Sequence, residues 1–353
     1  MNFLDLCAGI GGFRLGMERA GHKCVGYVEI DKYARKSYQA MYDTEGEWTA
    51  HDITEITDEE FGKLRGVDLI CGGFPCQAFS IAGKRKGFAD ARGTIIFHFC
   101  RAIRAIQPRW FVFENVKGLL SHDGGATYRI ILEALTELGY SVEWQVLNSK
   151  NFGVPQNRER VYIVGHFGAD CGRKIFPIPG SDRETSGELQ ELTRGMRDAY
   201  RTYSADGISR TLKSEGGGLG AKTGLYAVQE LLTIRKEKGK GSCGALGVKR
   251  IGDEEAATVA ARYYKGLAAD GCNGVICKQK AGEDARYDPE QVRIRRLTPR
   301  ECWRLQGFPD ELFDKAAATG LSDTQLYKQA GNAVTVNVVQ AIGERIAEME
   351  AGR

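Results

Sequence analysis

Residues 67–80 read VDLICGGFPCQAFS, and the organisation of the whole chain follows from this stretch. A short apolar run that ends in two glycines is typical of a buried parallel strand whose carboxyl end opens into a loop. Open α/β sheets carry their binding and catalytic groups in such loops. Pro75 restricts the backbone there and directs the thiol of Cys76. A free cysteine is usually a core side chain, but a Pro-Cys pair beside a polar, glycine-rich loop favours the rim of the sheet.

The composition is that of a folded protein with room for one large domain and a smaller one. The chain has 353 residues, of which 42% are hydrophobic and 27% charged, with a net charge of +3. These values exclude disorder as the main state and do not by themselves indicate a polyanionic partner. No apolar run approaches the ~20 residues that span a membrane, and the N-terminus is unlike a signal peptide, so we expect a cytoplasmic protein with reduced thiols. The cysteines form no C-x-x-C pair and the histidines are scattered, so no metal site is expected.

The N-terminal part of the chain predicts a nucleoside-binding cleft. Residues 2–16 (NFLDLCAGIGGFRLG) indicate a strand, a glycine-rich turn and the start of a helix, and Gly9 and Gly11 allow a ligand to approach the backbone closely. The next predicted strand ends at Glu29, where a carboxylate can accept hydrogen bonds from ribose hydroxyls. A second acidic group, Asp52, follows a third short strand. The glycine spacing departs from the dinucleotide fingerprint, which favours another adenosine-containing cofactor.

Further reactive groups are predicted on the same rim as Cys76. The apolar run WFVF at residues 110–113 indicates a buried strand that ends in Glu114. Carboxyl ends of parallel strands meet at one edge of a sheet, so Glu114 should lie near the thiol. Arg158 and Arg160, separated by one residue at a strand entrance, should point to the same side and can clamp an anionic or carbonyl-bearing ligand. Ordinary surface ion pairs are the alternative for these arginines.

The loop after the Pro-Cys pair and the polar middle of the chain carry the candidate nucleic-acid contacts. Residues 81–93 (IAGKRKGFADARG) predict an active-site loop with cationic side chains, among them Lys84 and Arg85. The α/β alternation then gives way to polar, glycine-rich sequence, which predicts a small, irregular, β-rich domain. Two segments in it look alike, residues 208–228 and 255–276, and the basic residues between them indicate a nucleic-acid face. A solvated charged surface is the alternative.

The C-terminal part returns to helical patterns. Thr298-Pro299-Arg300-Glu301 is a good helix start. A second glycine turn is predicted at residues 329–338, with Asn332 in it, and it leads into a terminal helix that ends near Met349.

With these elements assigned, the sequence closely resembles the cytosine-5 DNA methyltransferases of bacterial and phage type. The resemblance covers nearly the whole chain except the polar middle. Eight motifs occur in the family's order: DLCAGIGGFRLG from Asp5, VEID from Val28, HDI from His51, GGFPCQAFS from Gly72, ENV from Glu114, QNRER from Gln156, RRLTPRECWRLQGFPD from Arg295 and QAGNAVTVNVV from Gln329. One motif alone would be a weak signal, whereas eight in register are a strong one.

The resemblance implies an α/β fold of the S-adenosylmethionine-dependent methyltransferases. This fold has a mostly parallel, Rossmann-like sheet with helices on both faces, and here a smaller, irregular β-rich target-recognition domain. The implied division is a catalytic and cofactor-binding domain (1–172), a target-recognition domain (173–292), a helical hinge that supports recognition (293–328) and a C-terminal helix that returns to the catalytic domain (329–353). The implied reaction moves a methyl group from S-adenosylmethionine to C5 of a flipped-out cytosine in double-stranded DNA and leaves S-adenosylhomocysteine.

Site residues follow from the same resemblance. Cys76 matches the family's nucleophile, which attacks C6 of the base. Glu114 is expected to hydrogen-bond N3 and the N4 amino group, and Arg158 to contact O2 with Arg160 in support. The implied cofactor-binding residues are Cys7, Gly9, Gly11, Glu29, Ile30, Asp52, Ile53, Pro75, Asn332 and Val334. The implied DNA-binding residues are Gln77, Ser80, Lys84, Arg85, Thr211 and Thr258.

Some assignments stay open at the level of sequence. Cys7 stands where the family usually has a phenylalanine against adenine, and both Thr211-Leu212 and Thr258-Val259 match the Thr-Leu pair that usually contacts the phosphate beside the flipped base. A transfer-RNA cytosine-5 methyltransferase shares the motifs, although the long, irregular middle favours duplex DNA. A catalytically silent DNA-binding relative is opposed by the retention of the catalytic residues. We expect a monomer without a membrane partner, with a cognate endonuclease where the chain belongs to a restriction-modification system.

Overall fold

The structure of the protein is a computed structural model that describes residues 1–75, 95–168, 174–179, 202–204, 208–212, 225–227, 232–236, 246–250, 294–295 and 297–352. Six of the residues assigned from the sequence lie outside this part of the chain: Cys76, Gln77, Ser80, Lys84, Arg85 and Thr258. The described residues form a seven-stranded sheet with helices on both faces and several short strands from the middle of the chain.

The first eight strands are β1 (Asn2–Leu6), β2 (Lys23–Val28), β3 (Trp48–Ala50), β4 (Leu69–Gly73), β5 (Trp110–Val116), β6 (Tyr140–Asn148), β7 (Gln156–Asn157) and β8 (Glu159–Phe167). All of these except β7 form the main sheet, in the order β3-β2-β1-β4-β5-β8-β6. The first five strands in that order are parallel, and β8 runs antiparallel to both β5 and β6. The predicted mostly parallel sheet is therefore confirmed, with β8 as its one reversed strand.

Nine helices occur in the described residues: α1 (Gly12–Arg19), α2 (Lys32–Met41), α3 (Asp58–Gly62), α4 (Ile95–Ile106), α5 (Ala126–Glu137), α6 (Pro299–Arg304), α7 (Asp310–Ala318), α8 (Asp323–Asn332) and α9 (Val336–Ala351). Short 3-10 segments cover Lys117–Gly125 and Ser149–Phe152. One face of the sheet packs on α3, α4 and α5, and the other packs on α1 and α9. No helix of the described part is both long and apolar enough to cross a membrane.

The central strands are apolar throughout because both of their faces are covered. In β4, Leu69 and Cys71 pack on the α1 and α9 side, while Ile70 packs on the α4 side. In β5, Val112 packs on the α1 and α9 side, and Phe113 packs on the α4 side. A parallel strand buried on both faces reads as an unbroken apolar run, which is why these two strands are recognisable in the sequence.

The middle of the chain contributes only strands to the described secondary structure. These are β9 (Thr202–Ser204), β10 (Ser209–Arg210), β11 (Leu225–Ala227), β12 (Leu232–Lys236), β13 (Leu246–Arg250) and β14 (Ile294–Arg295). Strands β9, β11 and β14 form one small sheet, and β12 and β13 form an antiparallel pair. Strand β10 differs from the others because it pairs with β7, next to the main sheet.

Side chains satisfy free backbone groups at the start of α6 and at the end of α8. The predicted helix start at Thr298 is confirmed: Thr298 and Glu301 form a capping box at α6. The predicted turn at residues 329–338 is wrong for its first four residues, which are the last turn of α8. Side chains from elsewhere in the fold bind the free carbonyl groups of this last turn: Gln306 donates to the carbonyl oxygen of Ala330, and Arg158 donates to that of Gly331. The connection to α9 is consequently short.

The contact between α1 and α9 brings the end of the chain back to its beginning. A Cβ at Gly16 of α1 would lie 2.6 Å from Cβ of Val339 and 2.8 Å from the carbonyl oxygen of Val336, both in α9. A Cβ at Gly62, in α3, would have no atom within 4 Å. The two positions therefore differ in the space they offer, although both are helical.

We expect Gly16→Ala to lower the free energy of unfolding by about 1–3 kcal/mol, because overpacking against α9 outweighs the gain in helix propensity. The matched Gly62→Ala change should leave stability equal or raise it by up to about 1 kcal/mol. Urea unfolding followed by circular dichroism measures both. Equal stabilities for the two variants would contradict the close packing of α1 on α9.

Candidate active site

A cavity of about 560 Å³ opens at the carboxyl ends of β1, β2, β4 and β5. Because parallel strands end together, the residues that follow them in the sequence meet there. The residues assigned from the sequence that line the cavity are Cys7, Gly9, Glu29, Ile30, Asp52, Ile53, Pro75, Glu114, Arg158, Arg160, Asn332 and Val334. Gly11 and Thr211 lie outside this lining. One cavity thus collects assigned residues from seven separate stretches of the chain.

The glycine turn between β1 and α1 forms one wall of the cavity. Cys7, Gly9 and Gly11 have positive φ angles of 54°, 57° and 78°, a conformation that favours glycine. The turn is closed by a hydrogen bond of 2.8 Å from the Gly11 N–H to the Ala8 carbonyl oxygen. A Cβ at Gly9 would meet nothing within 4 Å, so the backbone at this point faces open space.

Glu29 links this turn to the end of β2. Its two carboxylate oxygens each accept one backbone N–H at 2.7 Å, from Gly9 and from Asp31. Burial raises the pKa of the Glu29 carboxyl above its ordinary value, and these two hydrogen bonds oppose the increase. A carboxylate oxygen has a second lone pair, so each oxygen can accept another hydrogen bond from a ligand hydroxyl.

The part of the cavity around Glu29 offers both apolar and acidic groups. Ile30 is 67% exposed although it is a large apolar residue, and it lines the cavity beside Asp52. Cys7 also lines it; burial and the nearby Glu29 carboxylate raise the pKa of its thiol, so Cys7 is an uncharged packing group at neutral pH. Lys328 of α8 reaches across to Asp31, with 2.6 Å between Nζ and Oδ2. This end can therefore hold a flat apolar ring with a polar edge.

A carboxylate–guanidinium pair occupies the other end of the cavity. Nε of Arg160 lies 2.9 Å from Oε1 of Glu114, and both side chains are largely buried. The antiparallel register of β5 and β8 pairs Val116 with Arg160, which places Arg160 on the same face of the sheet as Glu114, two residues away. Burial raises the pKa of the Glu114 carboxyl, and the charges of Arg160 and Arg158 oppose this. Glu114 can therefore hold a proton closer to neutral pH than an ordinary glutamate.

Arg158 lines the same cavity as Arg160 but is held by different partners. Its terminal nitrogens donate to three carbonyl oxygens, at 3.0 Å to Leu212, 3.1 Å to Gly331 and 2.8 Å to Ala333. Arg158 precedes β8, and its guanidinium binds the middle region and the end of α8, whereas Arg160 lies in β8 and pairs with Glu114. Burial and the charge of Arg160 lower the pKa of Arg158 to about 9, which leaves it charged at neutral pH.

Several buried amides that the sequence analysis did not single out connect this site to the rest of the fold. Nδ2 of Asn115 donates to the carbonyl oxygen of Phe74 at 2.8 Å and so fixes the residue before Pro75. Gln156 accepts from the N–H of Leu212 at 3.0 Å and donates to the carbonyl oxygen of Leu305 at 2.7 Å. The motifs contain these residues, so the sequence marks them as notable. It does not predict their hydrogen-bond partners, which are far away in the chain.

A third amide, Gln306, continues this network towards the turn between α8 and α9. It donates to Ala330 at 2.8 Å and accepts from the hydroxyl of Thr335 at 2.9 Å. The Thr335 hydroxyl also lies 2.8 Å from that of Ser149. All three polar side chains are buried, so the turn that lines the cavity is fixed by hydrogen bonds on its inner side.

The segment around β10 is the described part of the middle region that reaches the site. The Thr211 hydroxyl donates to the carbonyl oxygen of Asn157 at 2.6 Å. The backbone of Leu212 is bound at both its N–H, by Gln156, and its carbonyl group, by Arg158. This segment is therefore attached directly to the residues that carry the arginines of the cavity.

The cavity combines a glycine turn and hydrogen-bond acceptors with a buried carboxylate–guanidinium pair. The glycine turn and Glu29 suit a ligand with hydroxyl groups, and Glu114 with Arg160 suits a planar ring that has both donors and acceptors. Across the described ranges, no three His, Cys, Asp or Glu side chains are grouped to hold a metal ion.

Comparisons with known proteins agree with one another. Residues 1–348 match the family model for C-5 cytosine-specific DNA methylases. The type II methyltransferase M.HpaII of Haemophilus parainfluenzae is 38% identical over 98% of this chain and 89% of its own length. The orphan methyltransferase M.SPRI of Bacillus phage SPR is 33% identical over 97% of this chain and 96% of its own.

Solved structures show the same fold at low sequence identity. The crystal structure of the Dnmt2 methyltransferase of S. pombe aligns with a TM-score of 0.63 and 15% identity, covering 100% of this chain and 99% of that one. The methyltransferase EhMeth of Entamoeba histolytica aligns with a TM-score of 0.63 and 16% identity over 99% and 98% of the two chains.

We expect Arg158→Met to lower the free energy of unfolding by at least about 3 kcal/mol, because it leaves three carbonyl groups without their charged donor. Urea unfolding measures the loss. Arg129→Met is the control: its side chain is 74% exposed and makes an ion pair of 3.6 Å with Glu133, so the change should cost under about 0.5 kcal/mol. A wild-type unfolding midpoint for Arg158→Met would show that these contacts do not support the fold.

Proposed function

The chain belongs to the C-5 cytosine-specific DNA methylase family, and we propose that it transfers a methyl group from S-adenosylmethionine to C5 of a flipped-out cytosine in duplex DNA. The observation that carries the proposal is the meeting of Glu114 and Arg160 in the same cavity as Glu29 and the glycine turn. Pro75 lines this cavity as well, and Cys76 follows it directly in the sequence. A base and a methyl donor can therefore be bound side by side.

The residues of the cleft fit S-adenosylmethionine. Glu29 has acceptor capacity left for ribose hydroxyls, Ile30 offers an exposed apolar surface for adenine, and Asp52 lies beside it for the adenine amino group. The open backbone at Gly9 leaves room for the methionine part. When bound, S-adenosylmethionine supplies an electrophilic methyl group on a sulfonium. Asn332 and Val334 close the cleft from the C-terminal side.

Glu114 and Arg160 would hold the cytosine. A Glu114 carboxyl of raised pKa can donate its proton to N3 and accept a hydrogen bond from the N4 amino group. We assign the contact with O2 to Arg160 and a positioning role to Arg158, which exchanges the roles inferred from the sequence. Two observations support this assignment. Arg160 forms an ion pair with Glu114, and the terminal nitrogens of Arg158 already donate hydrogen bonds to backbone carbonyl groups.

Cys76 would supply the nucleophile. Its thiolate forms a bond to C6, and the electron pair of the C5–C6 double bond becomes available at C5. C5 takes the methyl group, with S-adenosylhomocysteine as the leaving group, and then gives its proton to a water molecule. The electrons of the C5–H bond restore the double bond as the C6–S bond breaks. Cys76 leaves as a thiolate, and the N3 proton returns to Glu114. Because C6 is not accessible within stacked DNA, the base must leave the helix, which costs on the order of a few kcal/mol.

The DNA contacts are assigned to the loop after Cys76 and to the middle region. We propose that Thr211-Leu212, not Thr258-Val259, is the pair beside the flipped base, because Gln156 and Arg158 bind Leu212 next to the cavity. Gln77, Ser80, Lys84 and Arg85 remain proposed DNA contacts on the strength of their motif and charge. The relatives include both type II and orphan phage methyltransferases. A partner endonuclease is therefore a proposal. The monomeric state and the cytoplasmic location are proposals as well.

The substrate is tested by expressing the chain in cells that lack cytosine methylation and sequencing their DNA after bisulfite treatment. We expect 5-methylcytosine at one short sequence, and methyl transfer to duplexes that contain it at least about tenfold faster than to transfer RNA. The family match and the DNA methyltransferase relatives favour this outcome. Faster transfer to transfer RNA would support the alternative substrate, and no transfer to either would support a silent relative.

The nucleophile is tested with Cys76→Ala. Methyl transfer should fall by more than about 10³-fold, since no covalent intermediate can form, while binding of S-adenosylhomocysteine by titration calorimetry stays within about twofold of wild type. Cys302→Ala is the control, because this buried thiol lies in α6 and does not line the cavity.

A duplex with 5-fluorocytosine at the target gives an independent readout. The unaltered chain should remain attached to this duplex on a denaturing gel, because fluorine at C5 cannot leave as a cation, and Cys76→Ala should not. Full activity of Cys76→Ala, or an adduct with it, would rule out the assignment.

A further inference from the structure

The glycine turn between β1 and α1 is also held from the side that faces away from the cavity, by a residue that the proposed reaction does not use. Tyr42 follows α2, and its hydroxyl lies 3.0 Å from the carbonyl oxygen of Gly11 and 3.3 Å from that of Ile10. Ile10 lines the cavity, whereas Tyr42 does not. The hydroxyl therefore contacts the turn without reaching the ligand cleft.

The position of the Tyr42 ring is fixed by its neighbours. Its centroid lies 4.9 Å from that of Tyr38 and 4.7 Å from the guanidinium carbon of Arg14. Arg14 donates to both carboxylate oxygens of Glu47 at 2.8 Å and to the carbonyl oxygen of Asp43 at 3.0 Å. Since Arg14 belongs to α1, the ring is tied to the helix that the turn enters.

The turn and the ring are in direct contact. A Cβ at Gly11 would lie 2.5 Å from Cε2 and 2.9 Å from the hydroxyl oxygen of Tyr42, at a φ of +78° that side chains other than glycine rarely adopt. Only a glycine at this position lets the backbone lie against the tyrosine. Any side chain at Gly11 would collide with the Tyr42 ring, so this contact explains the glycine independently of ligand binding.

The hydroxyl acts as a hydrogen-bond donor. Burial raises the pKa of the Tyr42 phenol well above its ordinary value, so it keeps its proton at neutral pH. That proton is shared between the carbonyl groups of Ile10 and Gly11. On the cavity side, Glu29 accepts from the N–H of Gly9 at 2.7 Å. The turn is thus bound on one side by Glu29 and on the other by Tyr42.

We propose that Tyr42 is a positioning residue for the methyl donor, which keeps the glycine turn in the conformation that receives S-adenosylmethionine. This inference rests on the proposed function, because it takes that cofactor as the ligand of the cleft. Tyr42 touches neither cofactor nor base, so its loss weakens cofactor binding and leaves the chemical step unchanged once the cofactor is saturating.

The test compares Tyr42→Phe with Tyr38→Phe. Both changes remove one hydroxyl from the same group of rings, but the Tyr38 hydroxyl lies near Arg14 (3.5 Å) and Cys24 (3.8 Å) and not at the turn. We expect Tyr42→Phe to raise the Kd of S-adenosylhomocysteine and the KM of S-adenosylmethionine about threefold to tenfold, which is the worth of one hydrogen bond. Its kcat and its KM for the DNA identified by bisulfite sequencing should stay at wild-type values. Tyr38→Phe should bind within about twofold of wild type.

The outcomes separate this inference from the proposed function. A wild-type chain that does not bind S-adenosylhomocysteine contradicts the proposed function itself. Wild-type binding together with equal Kd values for the two variants overturns the role of Tyr42 and leaves the function intact. A lower kcat with unchanged KM in Tyr42→Phe also overturns it, because a positioning role in cofactor binding acts on KM alone. Thermal unfolding of both variants controls for stability. If weaker binding came only from a less stable fold, the increase in Kd would parallel the decrease in Tm and would not depend on which hydroxyl was removed.

Discussion

The hydrogen bonds from Arg158 to three carbonyl groups are the constraint on which the rest of the site depends. The acceptors come from two segments that are far from Arg158 in sequence: Leu212 in the middle region, and Gly331 and Ala333 at the end of α8. Arg158 is only 2% exposed, and each hydrogen bond of a buried charged donor contributes about 1.5–3 kcal/mol. A guanidinium can bind several acceptors in a fixed planar geometry, which a lysine cannot do. One side chain thereby orients both the segment around β10 and the turn that lines the cavity.

The buried amides extend this constraint to the other parts of the chain. Gln156 joins the backbone of Leu212 to the end of α6, and Gln306 joins the end of α6 to the turn before α9. Buried polar groups are costly unless every one is paired, so such a network permits one arrangement of its segments and disfavours others. The family model spans these segments as one unit, residues 1–348. Such polar connections fix the relative positions of distant segments, because hydrogen bonds are directional whereas apolar contacts are not.

The two buried carboxylates of the cavity, Glu29 and Glu114, have different hydrogen-bonding surroundings. Glu29 accepts two backbone N–H groups, whereas Glu114 pairs with the guanidinium of Arg160. Burial raises the pKa of both. Glu29 is thus fixed as an acceptor within the glycine turn and suits hydroxyl groups, while Glu114 lies beside a cation and suits a base that gains and loses a proton. The same residue type is thus held by backbone N–H groups in one part of the cavity and by a guanidinium in another.

Local pattern determined much of this protein from the sequence alone. The unbroken apolar runs of β4 and β5, the glycines after β1 and the capping box at Thr298 each depend on neighbours in the chain, and each was predicted. The placement of acidic residues at strand ends followed as well, because parallel strands end at one edge. Tertiary structure alone decided which of Arg158 and Arg160 pairs with Glu114, that residues 329–332 continue α8, and that Tyr42 binds the glycine turn. The physical reason is that a hydrogen-bond partner distant in sequence leaves no local periodicity: an arginine or a tyrosine reads the same whether it meets a carboxylate, a carbonyl group or water.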